Sequence, residues 1–104
     1  MPYIVIKTCF PNERATEAAK KYLEVVEKYP PDETIAKVIL DSAIDADENG
    51  LHGLSIIEPQ GGKLEEALKR TETIMVEYLS VPDYRWEIKI WSTPEEALKY
   101  IGMG

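Results

Sequence analysis

Asp45, Asp47, Asn49 and Gly50 repeat the D-x-D-x-N-G opening of a calcium loop. Side-chain oxygens spaced this way on a tight turn can converge on a hard cation. The twelfth position of such a loop needs a bidentate glutamate, and Ile56 stands there instead. The run also lies between segments that read as strands, whereas a calcium loop joins helices. A solvated acidic hairpin is the expectation, with no metal. His52 is the only histidine and Cys9 the only cysteine. A dedicated transition-metal site draws on several such ligands, so none is expected, and no cofactor either. His52 reads as a strand-end surface residue and Glu58 as a solvated strand end. Cys9, beside Phe10-Pro11, reads as a small buried filler rather than a nucleophile.

Pro2 offers a different chemistry. A methionine before proline is normally removed, which would make the Pro2 secondary amine the N-terminus. Buried, such an amine titrates near neutrality and acts as a general base in tautomerases. Those enzymes also begin β-α-β, but their first two strands are parallel neighbours and no short hairpin separates their repeats. Pro2 is the alternative catalytic base, weighed against an ordinary second residue.

The elements that must position these groups follow from apolar spacing. Tyr3 to Thr8 is β-branched-rich and predicts strand one. Pro11-Asn12 breaks it, with Asn12 as expected N-cap. Ala15, Ala18, Ala19, Tyr22, Val26 and Tyr29 recur at helical spacing until Pro30-Pro31 ends the helix. Ile35 to Ile44 predicts strand two and Leu51 to Glu58 strand three, joined by a hairpin over Asp45 to Gly50 in which Asn49-Gly50 tolerates positive φ. Leu64, Ala67, Leu68, Thr71, Met75, Tyr78 and Leu79 line one face of helix two. Tyr84 to Trp91 predicts strand four. Thr93-Pro94-Glu95-Glu96 reads as a capping box opening a short last helix that stops at Gly102. The order is β-α-β-β-α-β-α, which implies an α+β, ferredoxin-like βαββαβ sandwich with a short C-terminal helix, one domain over residues 1–104.

Composition narrows the partners. The chain has 104 residues, 44% apolar, and a formal charge of −7. An acidic surface argues against nucleic acid and against an anionic membrane surface. A lone cysteine fits a reducing compartment, and no signal peptide is visible, so the expected location is cytoplasmic.

Strand side chains alternate between faces. The even positions Ile4, Ile6, Ala36, Val38, Leu40, Leu54, Ile56, Trp86, Ile88 and Ile90 are nearly all apolar and are expected under the helices. The odd positions mix charges with Val5, Ile35, Ile39, Ile57 and Trp91. A sheet face open to water should be mostly polar, so this one marks an interface or ligand surface. In length, element order, two-sided strands and the Gly62 to Leu68 opening of helix two, the chain resembles the dimeric α/β-barrel superfamily. There, ferredoxin-like domains pack sheet to sheet around a cavity. The resemblance implies a homodimer or higher homo-oligomer, and a role among cofactor-independent oxygenases, haem degraders, lactone isomerases or proteins without known activity. Haem degraders carry a histidine on helix two, and residues 63–79 have none, so haem is not expected.

The sequence thus reads as a homodimeric barrel protein holding a small apolar or amphipathic molecule between sheets. Lys7, Lys37, Asp41, Glu87 and Lys89 would supply polarity, and Tyr3 and Trp91 aromatic walls. No catalytic signature fixes a reaction. Proton transfer or cofactor-free oxidation would suit the site better than metal or nucleotide chemistry. The alternatives are the Pro2 tautomerase and a structural self-assembly module without a ligand.

Overall fold

A computed structural model describes residues 2–103. The removal of Met1, on which a catalytic Pro2 depends, lies outside them. The chain runs β1 (Tyr3–Phe10), a 3-10 turn (Asn12–Arg14), α1 (Ala15–Lys28), β2 (Ala36–Asp47), β3 (Gly50–Pro59), α2 (Leu64–Val76), a 3-10 turn (Glu77–Ser80), β4 (Arg85–Trp91) and α3 (Pro94–Tyr100). The four strands form one sheet in the order β2-β3-β1-β4, every neighbouring pair antiparallel. This is an α+β fold whose strand order agrees with a ferredoxin-like arrangement. Among the described residues no helix is long and apolar enough to cross a membrane.

Local sequence accounts for the ends of the elements. Thr93 accepts from the Glu96 amide while Glu96 accepts from the Thr93 amide, closing the expected capping box, with Pro94 in the first turn. Gly102, at φ 78°, sends its amide to the Lys99 carbonyl, and Met103 sends its amide to Leu98, a Schellman ending. Asn12 differs from expectation. Pro11 occupies the extended cap position and Asn12 is already in the 3-10 turn, so its side chain caps nothing.

The core lies between the sheet and the two long helices, where Ile4 and Ile6 of β1 meet Val25 of α1 and Ala67 and Met75 of α2. Phe10, Tyr84 and Tyr78 stack in sequence, with centroids 5.3 Å and 4.5 Å apart. Burial pushes the Tyr78 phenol far above its ordinary range, with the neighbouring Tyr84 adding to it, and burial raises Tyr84 too. A raised phenol favours the neutral form, so its contribution to stability is present below about pH 10 and is lost as pH rises beyond that. We expect Tm to fall steeply above about pH 10 and to fall less in Tyr78→Phe. Thermal melts from pH 8 to 12, followed beside tyrosinate absorbance, check this; equal alkaline losses in both proteins would refute it.

Which residues share a face differs from the simple even–odd count. Residues directly opposite on adjacent strands point the same way. Ile4 lies opposite both Ile57 and Ile90, and Lys7 opposite both Leu54 and Glu87. β1 and β4 therefore keep the expected faces, and β3 is inverted. Leu51, Gly53, Ser55 and Ile57 turn toward the helices, while His52, Leu54 and Ile56 turn away. The phase of β3 is set by the hairpin, where Asp47 pairs with Gly50 across Glu48 and Asn49. β2 changes phase twice, at register shifts between Val38 and Leu40 and between Leu40 and Ala43. The first shift moves Leu40 to the open face opposite Ile56, and the second returns Ile44 to the helix face opposite Gly53. Ser42, at φ 49°, sits in the second irregularity and donates its amide to the Ser55 hydroxyl.

Candidate functional site

The register assembles a row of chemistry-bearing residues across the open face. Asp45 on β2 lies opposite His52 on β3, His52 opposite Cys9 on β1, and Cys9 opposite Arg85 on β4. The next row is Ala43, Leu54, Lys7 and Glu87. Together they line a trough of about 520 Å³ on the hairpin end of the sheet. Beyond it the open face is apolar. Leu40, Ile56 and Val5 form the following row, ending at Lys89.

The carboxylates around the trough are engaged. Asp45 accepts from the Ala46 amide at 2.9 Å. Asp47 Oδ1 meets His52 Nε2 at 3.0 Å and accepts from the Asn49 amide at 2.8 Å. The His52 contact, followed by that amide, holds the Asp47 carboxyl below its ordinary range. Glu87 pairs with Lys89 at 3.1 Å. Asp45 and Asp47 thus each turn a carboxylate oxygen onto the hairpin itself. Lys7 places its ammonium 5.4 Å from the Trp91 ring centroid. To reach it, the Lys7 chain runs back along β1 past Val5, which is 1% exposed although it lies outside the helix-side core.

The residues expected to line a pocket are only partly brought together. Tyr3, Lys7, Glu87, Lys89 and Trp91 share the open face of β1 and β4. Lys37 lies on β2 opposite Glu58, across the sheet from them. Asp41 is a correction: its carboxylate accepts from the Tyr22 hydroxyl of α1 at 3.0 Å, so it belongs to the helix side. The β2 irregularity around Ser42 turns it there. Pro2, just ahead of β1, lines neither the trough nor the cavity described next. His52, Leu54 and Arg85 were missed as trough residues. The signal for His52 and Leu54 is that a two-residue turn pairs residues of opposite parity, which turns the even positions of β3 to the open face.

A second concavity, of about 690 Å³, lies between α1 and β2–β3 on the helix side. Small residues make it: Ala15, Ala18 and Ala19 on the helix, Gly53 and Ser55 on the sheet. Its rim carries Leu23, Val26, Val38 and Ile44, all substantially exposed. Sealed and dry, 690 Å³ at about 24 cal/mol per Å³ would cost on the order of 16 kcal/mol, beyond the whole stability of most small domains. The space is therefore open to its surroundings rather than a sealed, dry cavity. At its edge burial raises the Tyr22 phenol, and the hydrogen bond to Asp41 adds to this.

No family model matches the chain. No curated protein matches it at a significant level. Among solved structures the chain is similar to the crystal structure of a hypothetical protein from Methanocaldococcus jannascii, with 24% identity over 100% of both chains and a TM-score of 0.35.

Proposed function

We propose that this protein is a cytoplasmic homodimer that packs its open sheet faces together, as in a dimeric α/β barrel, and holds a small apolar or amphipathic molecule between them. The supporting observation is the half-buried apolar pair Leu40 and Ile56 beside the trough, with Trp91 left 48% exposed on the same face. A solvated sheet face would carry polar residues there. A second sheet laid on that pair would cover it and roof the trough. Pockets of this kind are mostly apolar with a few placed polar groups.

Ile56→Glu tests the assembly. Ile56 points away from the helices, so the fold should survive the charge. Light scattering at micromolar concentration should give a dimer mass for the natural chain and a monomer mass for the variant, with little change in circular dichroism. A monomer mass for the natural chain would end the dimer reading.

A second reading is favoured by the exposed rim of the helix-side cavity. There an apolar molecule would bind within one protomer, and Ile56→Glu would leave its binding unchanged. The tautomerase alternative needs a cavity at Pro2. The ligand-free assembly module needs a filled trough.

A further inference from the structure

We infer that the trough selects an anion: a small molecule with an apolar body and a carboxylate or similar negative head, held by Arg85. This rests on the trough as ligand site and names its ligand class. On a chain of formal charge −7, the trough gathers Lys7, His52 and Arg85 within two adjacent cross-strand rows. The acids beside them are occupied: Glu87 by Lys89, Asp45 by the Ala46 amide, Asp47 by His52 and the Asn49 amide. The bases are not. Among the described residues Arg85 forms no ion pair or side-chain hydrogen bond, and Lys7 meets only the Trp91 ring. A planar carboxylate can therefore take the Arg85 fork. Leu54 and Ala43 then offer an apolar bed for the rest of the molecule. Partial desolvation by the walls strengthens that contact.

Two fluorescent probes that share an anilinonaphthalene body separate the ideas. 1-Anilinonaphthalene-8-sulfonate carries the anion, and N-phenyl-1-naphthylamine lacks it. Affinities are measured on the full chain and on two exposed-site variants whose folding is checked by circular dichroism. Arg85→Gln removes the fork, and Ala43→Phe fills the trough. We expect the sulfonate to bind at least tenfold more tightly than the neutral probe. Arg85→Gln should erase most of that preference and leave the neutral probe unchanged, while Ala43→Phe should weaken both. If both probes bind equally and only Ala43→Phe weakens them, the trough is a ligand site and the anion selection is wrong. If Ala43→Phe affects neither probe, or neither binds, the trough reading itself fails and the selection falls with it.

Discussion

Gly50→Ala should destabilise this domain strongly. Gly50 has φ 123°, a region that L side chains rarely occupy. A Cβ there would lie 2.4 Å from the Phe10 carbonyl oxygen and 3.2 Å from the Phe10 carbonyl carbon and the Pro11 Cα. All three are backbone atoms, so no side-chain rotation relieves the contact. Relief requires pulling the hairpin away from the end of β1, where Leu51 pairs with Phe10. Backbone strain and lost pairing together should remove about 3 kcal/mol, a Tm drop of about 15 °C for a domain this size. Gly61→Ala is the control. Its added Cβ meets nothing within 4 Å, and its φ is not in the left-handed region. It should be neutral or stabilise by up to about 1 kcal/mol. Melting curves of the two variants decide: similar Tm values would mean that the Gly50 contact does not constrain the hairpin.

The same hairpin shows how far the sequence carries. Local signals were legible. Thr93-Pro94-Glu95-Glu96 announces α3, Pro30-Pro31 bounds α1, and alternation along β1 and β4 puts Ile4, Ile6, Trp86 and Ile88 under the helices. Pairing phase was not legible by parity, because it depends on where a turn reverses the chain. A two-residue turn pairs residues of opposite parity, so carrying one parity through the hairpin inverts β3 and moves Leu54 and Ile56 to the wrong side. The double irregularity in β2 lies further beyond local reading. Nothing in Leu40-Asp41-Ser42 alone says that Ser42 adopts positive φ and that Asp41 turns to Tyr22. The shifted residues are held by contacts outside their own strand, Asp41 with Tyr22 of α1 and Ser42 with Ser55 of β3. On the open face Lys7 and Glu87 line the trough, while Asp41 serves the helix side.

Trp91→Ala and Trp86→Ala should have opposite effects on assembly and on folding. Trp86 lies opposite Thr8 on the helix side and packs against the core cluster. Truncating it leaves a void beside Ile88 and Tyr84, which pack against the same cluster. Because the ring is only partly buried, the expected loss is about 2–4 kcal/mol, below the cost for a fully enclosed indole. Tm should fall by roughly 10–20 °C, and subunit affinity measured in the folded protein should stay unchanged. Trp91 is 48% exposed, opposite Tyr3 and under the Lys7 ammonium. Within one chain its removal forfeits little beyond that cation–π contact, worth about 0.5–1 kcal/mol at an exposed site. In the proposed dimer the second sheet covers the ring, and its burial contributes at most roughly 2–4 kcal/mol per subunit. The dimer Kd should then rise by about tenfold to several-hundredfold, since each 1.4 kcal/mol is a factor of ten. Tm of a dimer also depends on protein concentration, whereas that of a monomer does not. Melts over a hundredfold dilution range, with sedimentation at each concentration, therefore separate the two losses. Trp91→Ala should melt like the dissociated natural chain, and Trp86→Ala should melt early at every concentration. Dissociation caused by Trp86→Ala, with Trp91→Ala still dimeric, would place the subunit contact on the helix side, at the exposed rim of Leu23, Val26, Val38 and Ile44. The open-face trough would then face water, with nothing to roof it.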